Sequence, residues 1–340
     1  MYIKDGKTTE MRYNVLVNMK KLFIVLRAAV LLLIIYFVFV RNFTAIRGVF
    51  ALLPAGFIVL LLCVAILYYL LEGIAYCFAF ENSNQISLKQ GIVLSMLGMF
   101  ANVTSAGVGA VPLQTYYLHR QGIAAGNAAG TFLYSYVIHK LSTVLLALIC
   151  ICISFLIGHP DLRPFYPYII FGFTVDIIVC VLMCAAALNK KINELAHKLC
   201  AKLPDRFAKQ REALIHNLDL LREEVSDLLK NTKTGIKVLI ADLCKFMAMC
   251  IVVALICYKM EYSVTFGEAL IYMALIFAIS GSLPNVSGFG PIELGFALFF
   301  GPQIGEENVA GLVLVYRLAN YFFPFFISLF IVSSVRRKEE

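Results

Sequence analysis

Few side chains in this sequence can do chemistry, and those that can stand where charge is expensive. Lys140, Asp176, Glu293 and Arg317 fall within or beside long apolar stretches, where a central Arg, Lys or Asp costs ~2.5–3.5 kcal/mol on insertion scales. That cost makes each a functional candidate. Glu293 sits in the first turn of the helix that Pro291 opens, where the helix dipole favours a carboxylate; the simpler reading is a structural cap. Arg317 needs a counter-charge, which either Glu293 or a phosphate can supply, and its planar fork suits bidentate phosphate binding. Lys140 and Asp176 are read as an ion pair, structural in preference to a proton relay. Gln114 offers both donors and acceptors, and Asn320, one turn after Arg317, suits a hydrogen bond between helices. The five histidines are scattered, and no GxSxG, Walker sequence or paired carboxylates appear. The ten cysteines fall mostly in apolar segments without CxxC pairs or histidines at metal-ligand spacing, so neither disulfides, metal nor cofactor is expected.

The elements that position these groups carry a duplicated pattern. Gly107-Val108-Gly109 recurs as Gly288-Phe289-Gly290, and Asn127-Ala128-Ala129-Gly130 as Asn308-Val309-Ala310-Gly311, at one constant offset and without a gap. Leu113/Leu294, Ile123/Ile304 and Leu133/Leu314 fall in the same register. Each copy interrupts an apolar segment, and Pro112 and Pro291 then restart a helix at its favoured first turn. Paired Gly/Pro-interrupted apolar segments in two halves are the sequence pointer to a transporter's binding site. The amides of Gly107, Gly109, Gly288 and Gly290 stand at the starts of half-helices, which bind anions readily; glycine there serves close helix contact equally well.

Hydrophobic residues make up 61% of the 340 and charged residues 15%, against about 25% charged in ordinary soluble domains. Apolar stretches long enough to cross ~30 Å of hydrocarbon recur along the chain, and Leu22–Val40 is followed by Arg41-Asn42-Phe43, read as an uncleaved anchor. The net charge is +8. Its basic residues crowd the N-terminus, the stretch 189–237 and Arg336-Arg337-Lys338, which the positive-inside rule puts in the cytoplasm together with both termini. Basic residues at membrane boundaries without interleaved aromatics argue against nucleic-acid binding.

The bookkeeping yields an all-α polytopic membrane protein with about six full spans and two oppositely oriented re-entrant helical hairpins in an inverted repeat. The whole chain, 1–340, is one integral membrane domain. Repeat 1 covers about 49–157, with spans 49–71 and 126–157 around hairpin 91–121; span 165–188 then leads into a cytoplasmic helical connection, 189–237. Repeat 2 covers about 238–334, with spans 238–258 and 308–334 around hairpin 269–303. If either hairpin crossed fully, the last basic cluster would reach the wrong side. Within the connection, Leu214, Leu218, Leu221, Val225 and Leu228 form one apolar stripe, expected to lie on the membrane surface or the bundle, with partner docking as the other reading. At under fifty residues it is too short for a nucleotide- or tRNA-binding catalytic domain.

These residues match a known pattern. Pro112-Leu113-Gln114-Thr115-Tyr116-Tyr117-Leu118 and Gly288-Phe289-Gly290-Pro291-Ile292-Glu293-Leu294-Gly295-Phe296 resemble the two signature segments of the lysylphosphatidylglycerol synthase transmembrane (flippase-like) family. Tyr316-Arg317-Leu318-Ala319-Asn320-Tyr321-Phe322-Phe323-Pro324 resembles its last helix, and the similarity spans about 20–335. The chain differs at Gly109-Ala110-Val111, where members often read Gly-Gly-Gln, so a polar contact at position 111 is lost. The resemblance implies a domain that moves aminoacylated phosphatidylglycerol between leaflets of a bacterial-type plasma membrane, and the separate synthase domain of larger members is expected to be absent here.

The expected function is a lipid translocase for aminoacylated phosphatidylglycerol or a related anionic or polyprenyl lipid. Gly107, Gly109, Pro112, Gln114, Gly288, Gly290, Glu293, Arg317 and Asn320 line its path; Lys140 and Asp176 form an intramembrane pair. Two alternatives stand beside it: a phosphatidylglycerol lysyl- or glycosyl-type transferase, and a scaffold that recruits a separately encoded synthase or glycosyltransferase. Expected partners are a phospholipid, the membrane, such an enzyme and a second copy of the chain, with no nucleic acid.

Overall fold

The computed structural model describes residues 53–81, 84–105, 109–158, 160–201, 208–283 and 289–336. The expected span 22–40, the N-terminal basic cluster, Arg337, Lys338, Gly107 and Gly288 lie outside them. The described residues belong to one compact unit that is all helix, with no strand among them. Five helices are long and apolar enough to cross a membrane. The protein is an all-α, multi-pass membrane protein.

In chain order the helices are α1 Ala55–Ala79, α2 Leu88–Thr104, α3 Ala110–Arg120, α4 Ala125–Ile157, α5 Tyr166–Leu188, α6 Lys190–Ala201, α7 Ala208–Lys230, α8 Thr232–Lys259, α9 Phe266–Ser280, α10 Pro291–Ile304, α11 Glu306–Arg317 and α12 Phe323–Arg336. A π turn, Leu318–Phe322, joins the last two. α2 and α9 have 17 and 15 residues, so at 1.5 Å per residue they reach ~25 and ~22 Å, short of a ~30 Å hydrocarbon core. Both start the same way. Ser87 and Gln90 form a capping box on α2, Thr265 and Glu268 on α9, and each box satisfies two of the amides that a helix start leaves free. Each short helix then packs against the one that follows its break, α2 on α3 and α9 on α10.

The boundaries differ from the sequence reading in four places. The span expected over 49–71 is instead Ala55–Ala79, because Glu72 finds partners inside the bundle and does not end the helix. The last span is interrupted by the π turn. The second half of the first hairpin starts at Ala110, leaving Pro112 two residues further on, still within the turn whose amides have no helical acceptor. α8 starts at Thr232, inside the expected connection, where the Asn231 side chain accepts from the Thr234 amide at 3.2 Å.

Packing is reciprocal between the two halves. α1 meets α8; α1 packs on α2 as α8 does on α9; α12 packs on α2 as α4 does on α9; and α3 on α4 matches α10 on α11. α5 lies outermost, with Ile170, Phe171, Val181 and Leu182 exposed as lipid-facing side chains are. It meets α9 through Gly172, where any Cβ would lie 3.0 Å from the Ile279 backbone.

The connection expected between the two halves lies on the bundle. α7 packs against α4, with Val225 and Leu228 of its apolar stripe buried and Leu214 at the far end exposed. Asn217 Oδ1 accepts from the Gly126 amide at 2.8 Å, supplying a partner to the start of α4, and Thr131 donates to Glu224 at 3.0 Å. Glycines permit this approach: a Cβ on Gly126 would lie 2.3 Å from the Asn217 carbonyl oxygen, and one on Gly130 2.9 Å from that of Leu221. The first Asn-x-x-Gly copy therefore carries a helix contact. Replacing Gly130 with Val is expected to cost ~1–3 kcal/mol by overpacking and to speed limited proteolysis within α7; unchanged melting and cleavage would mean that the two helices do not meet this way.

Where α1 ends, Glu81 receives hydrogen bonds from Lys237 at 2.7 and 2.8 Å and from Thr234 at 3.1 Å. The Lys237 hydrogen bond, opposed by partial desolvation, holds the Glu81 carboxyl below the usual carboxylate range. A depressed carboxylate contributes stability above its unfolded-state value and loses it as pH falls through the folded one. Glu81→Gln is therefore expected to flatten the melting temperature of the solubilised protein between neutral pH and the acid side of the glutamate range.

Candidate functional site

Two adjoining cavities of about 550 and 230 Å³ occupy the middle of the bundle. Tyr69, His139, Lys140, Gly281 and Asn320 line both. Ala110, Val111 and Gln114 from the start of α3 reach the larger one, and Pro291 and Ile292 from the start of α10 reach the smaller. The segments that follow both glycine breaks thus face two cavities that share a wall.

Lys140 forms the shared wall. From α4 its ammonium reaches Asp176 Oδ1 on α5 at 2.9 Å and donates to the carbonyl oxygen of Gly281 at the end of α9. The negative end of a helix dipole favours a cation there. Lys140 and Asp176 side chains are 6% and 1% exposed, and Asp176 Oδ2 has no hydrogen-bond partner among the described residues. The sequence reading paired these two residues, and the structure brings them together.

Glu293 and Arg317 also meet, with Nε and Nη2 at 2.7 and 2.6 Å from the same oxygen, Oε1. The other oxygen accepts from the Gly290 amide at 2.7 Å. Gly290 has φ of 105°, a conformation open to glycine at little cost. The guanidinium lies over the Phe289 ring, 4.5 Å from its centroid. The pair spans the second break and the last helix, yet neither residue lines either cavity.

Two expectations are corrected by this geometry. The amides of Gly109 and Gly290 are not open anion donors: Ser105 Oγ takes the first and Glu293 the second, since a break inside a bundle must satisfy its own backbone. Gly107 and Gly288 lie outside the described residues. Pro112 is exposed and lines neither cavity. Gln114 is 2% exposed and donates to the Leu94 carbonyl at 2.9 Å and to Tyr76 at 3.3 Å, holding the two halves of the first hairpin together. Asn320 stands in the π turn; its carbonyl accepts from Tyr69 at 2.9 Å, and among the described residues its side-chain oxygen has no partner beyond neighbouring Tyr316. Such turns widen a helix and recur at functional sites.

A second charged group was missed. Lys245 on α8 lies 2.7 Å from Asp242 and 3.7 Å from Glu72 on α1, and all three line the larger cavity. The available signal was an acid and a lysine three residues apart within one apolar span, with a glutamate just past the presumed end of another. Among the described residues, no group of three His, Cys, Asp or Glu is placed to hold a metal ion.

The sequence pattern of one family, described as the lysylphosphatidylglycerol synthase TM region, matches residues 24–328. The chain belongs to this family. Its function is therefore tied to membrane lipid. No curated protein and no solved structure matches the chain.

For the Arg317–Glu293 pair the two truncations should differ. Glu293→Ala removes the carboxylate from a guanidinium that is 3% exposed, leaving it over the Phe289 and Tyr321 rings, and is expected to cost ~3–5 kcal/mol. Arg317→Ala should cost less, because Glu293 is 32% exposed and keeps the Gly290 amide. Unfolding of both variants and the double variant in detergent tests this; additive losses would show the two groups to be uncoupled.

Proposed function

We propose that this protein is a lipid translocase whose headgroup path is the central pair of cavities. The observation that carries the reading is the convergence of both glycine breaks, through Val111 and Gln114 on one side and Pro291 and Ile292 on the other, on two cavities that share a wall of Lys140 and Asn320. Cavities of this size, few and mostly pre-formed, are where small groups bind. Lys140 and Lys245 are the cations facing the space, so a phosphodiester headgroup meets them there while its acyl chains stay in hydrocarbon. The Arg317–Glu293 link then positions Asn320 and does not itself hold the lipid.

Reciprocal packing of the halves supports an inverted repeat, and the short α2 and α9 support two re-entrant hairpins that do not cross the membrane. Alternating exposure of the hairpins would carry the headgroup across. On this reading both termini face the cytoplasm of a bacterial plasma membrane, and the cargo is aminoacylated phosphatidylglycerol or a related anionic lipid. The apolar stripe of α7 is largely used against α4, which favours transport over recruitment of a separate synthase.

Reconstituted vesicles with fluorescently tagged phosphatidylglycerol test the proposal by dithionite access to the label. Wild type is expected to exchange the lipid between leaflets well above protein-free vesicles. Asn320→Ala removes one neutral hydrogen-bonding group, worth ~0.5–1.5 kcal/mol, and is expected to slow exchange by about two- to tenfold. Exchange no faster than in empty vesicles would overturn the reading.

A further inference from the structure

Among the intramembrane ion pairs of the described residues, charge is matched one to one except around Lys245. Among the described residues Lys140 has Asp176, and Arg317 has Glu293. Lys245 alone stands between two carboxylates, Asp242 at 2.7 Å and Glu72 at 3.7 Å. Lys245 and Asp242 side chains are each 3% exposed, whereas Glu72 is 18% exposed and opens on the larger cavity. Asp242 is thus the close partner of the ammonium, and Glu72 is the surplus acid with access to the cavity interior.

Among the described residues, the surroundings of Glu72 give it no second cation. From its own helix Tyr68, Tyr69 and Tyr76 stand nearby; from α8, Asp242 and Lys245; from α2, the Ser95 hydroxyl. Across the cavity α4 presents His139 and Lys140, and the last helix presents Asn320 and Tyr321. Lys140 is turned to Asp176 and the Gly281 carbonyl. With every carboxylate ionised, the three-residue group carries one net negative charge beside the cavity, and any anion brought in meets it at close range. Like charges sharing a site force one of them to take a proton, and intramembrane acids are the usual stations of proton relays.

We infer that Glu72 is a proton-exchanging group coupled to the occupant of the cavity. When an anionic headgroup enters, the Glu72 carboxylate takes one proton from a hydronium ion supplied by bulk solvent: one O–H bond of the hydronium breaks, leaving water, as an O–H bond forms on a Glu72 oxygen. When the headgroup leaves, that O–H bond breaks and the proton returns to water. Net charge in the cavity is the same before and after loading, so lipid and proton move together. Asp242 stays ionised against Lys245 throughout. The coupling rests on the cavity being the headgroup path; the surplus acid does not.

The test uses purified full-length protein in weakly buffered detergent with a pH-sensitive dye, and phosphatidylglycerol as the added anion, with phosphatidylcholine as the zwitterionic control. Binding is followed separately by fluorescence of a tagged lipid. Wild type is expected to take up one proton per bound phosphatidylglycerol and none with phosphatidylcholine, and difference infrared spectra should show the C=O stretch of a newly protonated carboxyl. Glu72→Gln, close to the protonated form in shape and charge, should bind the lipid with both signals lost, and Glu72→Asp should shift the band. Binding without proton uptake, or signals that survive Glu72→Gln and vanish in Asp242→Asn, overturns the assignment and leaves the translocase reading standing. Failure of wild type to bind phosphatidylglycerol removes both.

Discussion

One ammonium holds the centre of this bundle. Lys140 bonds the end of α9 and the side of α5 from a helix that belongs to the other half, and it walls both cavities. A lone lysine at this depth would be driven out or neutralised; with Asp176 and the Gly281 carbonyl it becomes the fixed point around which the second hairpin is set. The absence of a side chain on Gly281 is part of that arrangement, because a Cβ there would lie 2.6 Å from Nζ. The wall shared by the two cavities and the anchorage of α9 thus come from the same contact.

Helix breaks at membrane depth are tolerated only where their backbone is satisfied from within the protein. The two breaks solve this differently. In the first, the Ser105 hydroxyl takes the Gly109 amide; in the second, Glu293 takes the Gly290 amide and hands its other oxygen to Arg317. Gly109 and Gly290 therefore share a place in the duplicated pattern but neither backbone conformation, with φ of -91° against 105°, nor chemistry. Because the second break uses a charge, it also binds the last helix, where Asn320 and the π turn meet the cavity.

Much of the architecture was legible from the sequence for plain physical reasons. Apolar length gave the spanning helices, and Gly/Pro interruptions gave the two places where helices stop short. Lys140 and Asp176 were read correctly because each is conspicuous within an otherwise apolar run. Glu72 escaped notice because it lies one residue past the expected span 49–71, and its partner, Lys245, lies over 170 positions away. Asp242 and Lys245 neutralise one another at three-residue spacing and so raise little alarm in a hydropathy reading. The Asn-x-x-Gly repeat pointed to Gly130, but only coordinates show that α7 presses on it and on Gly126 before it. No sequence signal marked the π turn, which depends on how Tyr69 reaches the Asn320 carbonyl.

The outlying position of α5 bears on how the chain is made. Most of its surface faces hydrocarbon, yet Asp176 within it is 1% exposed and held by a lysine from the helix synthesised just before. Released singly from a translocon, α5 would bear the full penalty of its acid. Retained until α4 is beside it, the two leave as a neutral hairpin, so correct insertion of this region requires the ribosome's order of delivery as well as its apolar content.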